Sequence, residues 1–313
     1  MRFFLTILIL VLNIASCKEK DSLSLTVLKS QLINNVPSGS GMGASKKGCY
    51  VISDDSPYLF KLDSSNQIIT KTEIFATTHL HENRILKKYK PDFEALEVIN
   101  ENELIIFGSG SSTPQRDLFL HISLKDSVAV KTYQITSFYN NLRKSKLLKN
   151  APLNIEGVAV YNDTIYLFNR GENVIFSFIY KDLLAYFKGE AAYPEPKTTL
   201  FSLPKINGIE SGFSGATILK NRPLIIFTSS VENSGNSAYN DGEILGSFIG
   251  TIEMSENKVS NHYKSAPIPN VEKALKVEAV TIVNDDTPEK IEISLVTDDD
   301  MGSSIKIDCI LKL

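Results

Sequence analysis

The sequence predicts an all-β protein, a β-propeller with five blades of four antiparallel strands each. The first observation is a repeated segment: Glu or Ser, a small residue, an alternating apolar run, a polar turn and a second apolar run. The copies begin at Phe93, Ile155, Phe213 and Val277, and a degraded copy begins at Gly43. Recurring units of this length with internal hairpins are typical of propeller blades.

The spacing of the copies predicts how the ring closes. Successive copies are separated by roughly 50 to 65 residues, which accommodates four short strands and their turns. Only three strands fit after Glu278, whereas a strand predicted at Ser24–Leu32 precedes the first copy. We therefore expect the N-terminal strand to complete the last blade as its outer strand, which removes exposed sheet edges. Six blades are the alternative, if a long insertion contains a degenerate copy.

The remaining elements follow from local composition. Runs rich in β-branched and aromatic residues predict strands, and these lie near Cys49–Ile52, Tyr58–Leu62, Ile68–Phe75, Leu118–Ser123, Val128–Ile135, Val174–Tyr180, Thr198–Leu203, Ile244–Glu253, Val259–Tyr263 and Ser304–Leu313. Ser137–Lys149 and Leu183–Phe187 are compatible with helix. The charged segment His79–Pro91 interrupts the pattern and predicts a helical turn or an exposed basic loop.

The N-terminus predicts export and lipid attachment. A basic start is followed by the apolar run Phe3–Ile14, which is too short to span a bilayer comfortably. Leu12–Cys17 resembles a bacterial lipobox, which implies cleavage before Cys17 and acylation of that residue. We expect a signal peptide at residues 1–16, a tether at 17–23 and one propeller domain at 24–313, held on the membrane at the cell envelope, on the outer membrane or cell surface. An uncleaved anchor or an ordinary signal peptide is the alternative.

Charge and cysteine content exclude several classes of function. The formal net charge is -3, so a concentrated basic surface for nucleic acid is not expected. Cys49 and Cys309 lie in apolar, strand-like runs, which favours buried free thiols over the disulfide that an exported protein permits. The spacing of Cys and His residues does not suggest a zinc site.

The first residues of the repeat predict a site. In a propeller the innermost strands line the central channel, so Glu94, Glu156, Ser214 and Glu278 should approach one mouth of it. Three converging carboxylates repel each other unless a cation compensates, and Ca²⁺ prefers such oxygen ligands. We expect Glu94, Glu156 and Glu278, with Asp299, to be metal ligands. The alternative is a structural ring of acids bonded to backbone amides.

Polar residues at the tips of the repeat extend this site. Asn169 and Asp298 add oxygen atoms, while Arg116 and Arg170 follow two of the tips. The two arginines are expected to pair with the acids or to bind an anionic ligand. Glu97 should face away from this group, because side chains alternate along a strand.

Short motifs resemble a known family. Glu156-Gly157-Val158-Ala159, Glu278-Ala279-Val280-Thr281 and Thr297-Asp298-Asp299 resemble the esterase-like, phytase-like propeller lipoproteins of bacteria. The resemblance implies a calcium site at the channel mouth and hydrolysis of phosphoesters or carboxyl esters. The residues themselves mark no nucleophile, because Gly212–Gly215 lacks a nucleophile elbow. We expect an acidic mouth that binds a small anionic ligand or a protein partner, with calcium-assisted hydrolysis as the alternative.

Overall fold

A ring of five four-stranded antiparallel sheets forms the described part of the chain. The computed structural model describes residues 22–233, 242–256, 258–270, 273–287, 289–298 and 302–313. The predicted signal peptide, Cys17 and Asp299 lie outside these ranges. The prediction of a five-bladed propeller is confirmed, and the six-bladed alternative is wrong.

The first strand and blade I open the chain. They consist of β1 (Ser24–Leu32), followed by β2 (Gly39–Ser45), β3 (Gly48–Ser53), β4 (Tyr58–Leu62) and β5 (Ile68–Glu73). A hairpin of β6 (Leu80–His81) and β7 (Arg84–Ile85) follows, where a helical turn or a loop was expected. Glu82 and Asn83 connect its strands with φ of 50° and 68°. Two successive residues with positive φ are typical of a tight hairpin turn, which explains the difference.

Blades II and III each contain four strands and are followed or interrupted by a helix. Blade II comprises β8 (Phe93–Asn100), β9 (Glu103–Gly108), β10 (Leu118–Ser123) and β11 (Ala129–Gln134), followed by α1 (Thr136–Arg143) and a 3-10 turn (Lys146–Leu148). Blade III comprises β12 (Ile155–Tyr161), β13 (Thr164–Asn169), β14 (Val174–Ile179), α2 (Tyr180–Phe187) and β15 (Lys197–Leu200). Both helices overlap the segments that the sequence marks as compatible with helix, but each begins earlier, and α2 begins at Tyr180, which was expected to end a strand. None of the helices among the described residues is long and apolar enough to cross a membrane.

Blades IV and V complete the ring. After the hairpin of β16 (Lys205–Ile206) and β17 (Ile209–Glu210), blade IV comprises β18 (Gly212–Ile218), β19 (Leu224–Asn233), β20 (Glu243–Ser255) and β21 (Lys258–Pro267). Blade V comprises β22 (Lys276–Thr287), β23 (Lys290–Asp298) and β24 (Ser304–Lys312), with β1 as its outer strand. Ser24 pairs with Lys312 and Leu32 with Ile305, so the predicted closure by the N-terminal strand is confirmed.

The hydrophobic core is divided among the interfaces between adjacent blades. Each of five buried clusters joins two neighbouring sheets. Between blades II and III, Phe138, Tyr139 and Leu142 of α1 pack against the sheets. Such sheet-on-sheet burial supplies the main driving force for folding. The two thiols are free, as predicted, and burial raises the pKa of both Cys49 and Cys309 to about 12.

Candidate functional site at the channel mouth

Each innermost strand carries a β-bulge at the same place. In blade II, Phe93 pairs with Gly108 and Ala95 with Phe107, so Glu94 has no partner on β9. The same irregularity occurs in the other four innermost strands, and the five residues at the bulges are Ser40, Glu94, Glu156, Ser214 and Glu278. Because a bulge redirects a side chain locally, bulges are frequent beside functional sites.

The structure corrects the alignment of the first copy. The residue of blade I at the bulge is Ser40, whereas the sequence pattern placed Gly43 at the equivalent position. β2 begins Gly-Ser-Gly and has no acid to mark the register. Gly43 packs against blade II instead, since a Cβ there would lie 2.5 Å from a methyl carbon of Leu96.

The two serines at the bulges connect neighbouring blades. Ser40 Oγ donates to the carbonyl of Phe93 at 2.5 Å, and Ser214 Oγ donates to the carbonyl of Val277 at 2.6 Å. Each acceptor directly precedes the acid at the bulge of the next blade. The serines therefore help to fix the positions of Glu94 and Glu278.

Two further sets of equivalent residues surround the bulges. The positions two residues before the bulges hold Ser38, Asp92, Asn154, Gly212 and Lys276. The residue that precedes each bulge pairs with a residue of the second strand, and the positions directly after these partners hold Asp54, Ser109, Arg170, Ser230 and Asp298. Asp92 and Ser38 have φ of 56° and 41°. Residues other than glycine rarely adopt this backbone, which is enriched at functional sites.

Most of these residues line a cavity of about 520 Å³ at the channel mouth. The hairpin of β6 and β7 forms part of its wall, through His81, Glu82, Arg84 and Ile85. Deeper in the channel, among the innermost strands, the free volume is only about 10 Å³, roughly the minimum that one water molecule needs. The cavity is therefore a blind pit.

Arg170 lies close to one acid in each of blades III, IV and V. Its Nη2 lies 2.9 Å from Glu232 Oε1, and its Nη1 lies 3.9 Å from Oε2 of both Glu156 and Glu278. The side chain passes directly over Gly212, where a Cβ would lie 2.4 Å from Arg170 Cγ. Blade IV therefore needs glycine at this position, because it is the blade that Arg170 crosses.

Lysine side chains neutralise much of the remaining negative charge. Lys276 Nζ lies 3.2 Å from carboxylate oxygens of Glu232 and Glu278, and 3.8 Å from Asp298 Oδ2. On the opposite side of the cavity, Lys90 contacts Asp54 and lies 3.2 Å from Asp92 Oδ1. These lysines occupy positions between carboxylates that a bound cation would otherwise fill.

Asp92 is the most heavily contacted acid on the blade II side. Its Oδ2 accepts from Arg116 Nη1 at 2.5 Å and from Ser109 Oγ at 2.6 Å. Asp54, Asp92 and Glu94 each place a carboxylate oxygen within 4.8 Å of the others, so this group can hold a metal ion. It shares only Glu94 with the metal ligands predicted from the sequence.

Glu94 has no directly paired cation, although Lys90 is near enough to interact with it electrostatically. It lines the cavity, and it makes no hydrogen bond or ion pair with any residue that the structure describes. Burial raises the pKa of Glu94 well above its usual range, and the nearby carboxylates of Glu156 and Asp92 raise it further. The described part of the protein provides no direct partner for this half-buried acid, so a bound ligand could provide one.

The other acids of the mouth also have raised pKa values. Burial is the main cause and raises the pKa of Glu156 to about 7, of Glu278 to about 8 and of Asp54 to about 6, despite nearby Lys and Arg side chains. Both carboxylate oxygens of Glu278 are buried without a hydrogen bond to the described groups, although Lys276 and Arg170 lie close. The mouth thus contains several acids that titrate near neutral pH.

The structure brings most of the residues predicted from the sequence to one cavity. Its lining includes the predicted residues Glu94, Glu156, Glu278, Arg116, Arg170 and Asp298. Asn169 is fully buried behind it, where its Oδ1 accepts from the Asn154 amide and its Nδ2 donates to the carbonyls of Arg170 and Glu172. Asn169 therefore shapes the turn that carries Arg170. Glu97 lies toward the other mouth, paired with Lys220 at 3.0 Å.

Sequence reasoning missed Lys90, Asp92, Glu232 and Lys276. A signal for two of them exists, because Asp92 and Lys276 both stand two residues before the acid of the repeat. Lys90 belongs to the segment that was interpreted as a solvated charge run. Glu232 lies near the end of β19, and no repeated spacing marks it.

The family match extends over the five blades. A model described as a family of unknown function, DUF6929, matches residues 35–311. The chain belongs to DUF6929. No curated protein is significantly similar to the chain in sequence. The propeller part of the predicted resemblance is confirmed, whereas the comparisons show no lipoprotein or phytase-like family.

Solved structures support the fold of this DUF6929 chain. The glutaminyl cyclase of Myxococcus xanthus is 9% identical, with a TM-score of 0.51, and the match covers 92% of this chain and 97% of that one. The tail fibre of Staphylococcus aureus phage P68 is 12% identical, with a TM-score of 0.50, covering 94% of this chain and 54% of that one. The periplasmic gluconolactonase of Pseudomonas aeruginosa is 11% identical, with a TM-score of 0.41, covering 82% and 67%. The first two matches support the propeller fold alone.

Proposed function

We propose that this protein binds a small polar ligand in the channel-mouth cavity, where Glu94 contacts a positively charged or hydrogen-bond-donating group of the ligand. The observation that carries the proposal is the isolated Glu94 carboxyl in a blind cavity of about 520 Å³. Pockets for small molecules commonly have volumes of roughly 300 to 1,000 Å³. A half-buried acid that makes no hydrogen bond or ion pair with the protein can gain both from a ligand.

The distribution of charge favours a ligand with a positive group over a purely anionic one. Arg170 and Lys276 each contact several acids, and Lys90 lies between two. A ligand with negative charge alone would have to compete with these carboxylates. The sequence led us to expect a small anionic ligand, and the pairing of the cations is why the proposal differs.

A screen of a metabolite library by thermal denaturation tests this proposal. A ligand present at about 100 times its dissociation constant stabilises the folded state by about 2.7 kcal/mol, so hits raise Tm by several degrees. We expect at least one class of polar hits to lose most of its effect in Glu94→Gln. Glu253→Gln, an exposed change on β20, is the matched control. Hits that stabilise wild type and Glu94→Gln equally would contradict binding at this cavity.

A calcium-dependent hydrolase is the second candidate. The close carboxylate oxygens of Asp54, Asp92 and Glu94 favour it, since Ca²⁺ takes oxygen ligands. A metal at this place would polarise a phosphoryl or acyl oxygen of a bound ester, while Arg116 would orient its anionic part. The contact of Lys90 with two of these acids weakens the candidate, because its ammonium already neutralises part of their charge.

Calcium titration separates the two candidates. If a metal binds, millimolar Ca²⁺ raises Tm by several degrees and EDTA reverses the effect, whereas Asp92→Asn abolishes it. Assays on panels of phosphate and carboxyl esters would then show calcium-dependent turnover. An unchanged Tm with Ca²⁺ and with EDTA would rule out the metal and leave the ligand proposal intact.

The location is part of the same proposal. The lipobox-like Leu12–Cys17 supports attachment of the exported protein to a bacterial membrane through acylated Cys17. Full-length protein produced in bacteria is expected in the membrane fraction, and Cys17→Ser is expected in the soluble fraction. Equal partitioning of both forms would contradict a lipid anchor.

A further inference from the structure

The blade II side of the cavity combines an isolated acid with an incompletely used arginine. Arg116 lines the cavity with its side chain 20% exposed. Its Nη1 donates to Asp92 and Ser111. Its Nε and Nη2 make no hydrogen bond with any group in the described ranges. Arginine can donate two parallel hydrogen bonds to a carboxylate. The Nε and Nη2 edge of Arg116 can therefore bind the carboxylate of a ligand.

Asp92 determines how these two groups are arranged. It contacts Arg116 Nη1 at 2.5 Å, and one of its oxygens lies within 4.8 Å of a Glu94 oxygen. Arg116 and Glu94 therefore flank one aspartate in the same cavity. A single small molecule can reach both if its negative and positive groups are only a few bonds apart. An α-amino acid has this arrangement.

The rim of the cavity adds an apolar surface. Leu86 is 48% exposed and lines the cavity, and the exposed Pro152 lies on its wall. An exposed leucine at a cavity entrance gains from covering by an apolar group. The same pit therefore presents a positive edge, a carboxyl group and an apolar rim.

We propose that the ligand is a zwitterionic amino acid with an apolar side chain, whose carboxylate binds Arg116 and whose ammonium binds Glu94. This inference rests on the proposed function and specifies the ligand class of the same cavity. It also gives Glu94 the positive partner that the protein lacks. Leu86 would contact the side chain of the amino acid.

Isothermal titration calorimetry with the standard L-amino acids tests the proposal. Two derivatives of the tightest-binding amino acid are then titrated. The amide of the amino acid lacks the carboxylate, and the N-acetyl derivative lacks the ammonium. We expect each derivative to bind wild type about tenfold more weakly or worse, as a lost charged hydrogen bond predicts. Arg116→Gln should bind the amino acid and its amide equally, and Glu94→Gln should bind the amino acid and its N-acetyl derivative equally. The matched controls are Lys197→Gln and Glu253→Gln, both exposed and outside the cavity.

The outcomes distinguish this inference from the proposed function. If no amino acid binds, or if the derivatives bind wild type as well as the parent, the zwitterion is wrong. A library hit of another class that depends on Glu94 would then still support binding at the cavity. If the library also gives no Glu94-dependent hit, both proposals fall. Since the comparison of derivatives uses wild type, it holds even if a variant fails to fold.

Discussion

Replacing Arg170 by Met is expected to lower the free energy of unfolding by about 3 to 5 kcal/mol at pH 8, the usual cost of removing one partner from a buried ionic group. Arg170 is the cation that Glu156, Glu232 and Glu278 have in common. Without it, these acids face each other with Lys276 as the nearest remaining cation. The loss should be smaller at pH 5, because protonation of the acids removes part of their repulsion.

Urea denaturation followed by far-UV circular dichroism measures this effect, since the chain has no Trp for fluorescence. Lys149→Met is the matched control. Its pair with Glu172 at 3.0 Å is exposed, with the lysine side chain 62% accessible, so its loss is expected to be at most about 1 kcal/mol. Equal destabilisation by Arg170→Met and Lys149→Met at pH 8 would show that Arg170 does not hold the acids together.

Gly212→Ala gives an independent test of the same arrangement. The added Cβ would lie 2.4 Å from Arg170 Cγ and 3.1 Å from its Nε, so the arginine would have to move. We expect Gly212→Ala to lower the free energy of unfolding by about 1 to 3 kcal/mol, as at other overpacked sites. This is part of the loss expected for Arg170→Met. In an Arg170→Ala background, where the clashing Cγ, Cδ and Nε are absent, the alanine at position 212 should cost less. Additive losses would contradict a shared cause.

The protein is expected to become less stable as the pH rises from about 5 to 8, through the acids of the mouth. A carboxyl group whose pKa is higher in the folded state binds its proton more tightly there. The stability it contributes is fully present below its ordinary pKa of 4.5 and is lost as the pH rises through the folded values, about 7 for Glu156 and about 8 for Glu278. Each such proton contributes a slope of at most about 1.4 kcal/mol per pH unit.

Glu278→Gln isolates one of these protons. The neutral amide removes the cost of ionising a side chain that is 4% exposed, so the variant should be more stable than wild type at pH 8 by at least about 1 kcal/mol. Near pH 5 the two should differ little. Urea titrations at four pH values between 5 and 8 provide the comparison, with Glu253→Gln as an exposed control. Parallel pH profiles for wild type and Glu278→Gln would contradict a raised pKa at this position.

The sequence was sufficient to predict the ring because each blade repeats one register. The acid, the small residue and the alternating run recur with the bulge, so Glu94, Glu156 and Glu278 were found together without structural information. The register of blade I could not be predicted in this way. Its innermost strand replaces the acid by Ser40, between glycines, and these residues resemble an ordinary loop in sequence.

The charge pairing of the site was less predictable. Lys90 enters the cavity only because the residues before it turn back as a hairpin, which depends on positive φ at Glu82 and Asn83. Arg170 was identified, but its contact with Glu278, two blades further along the sequence, depends on the missing side chain at Gly212 in the blade between them. Contacts between blades bring together residues that no local pattern relates.

The pairing of β1 with β24 has a consequence for biogenesis. Val27 lies opposite Cys309, so the last blade needs both ends of the chain. During synthesis, blades I to IV can form in order, but the seam between β1 and β24 can be completed only after β24 has been made. Contacts of such high sequence separation form slowly because their loop-closure entropy must be overcome first. The ring therefore closes only after β24 has been made, and until β1 pairs with it, β24 presents an unprotected edge to chaperones and proteases.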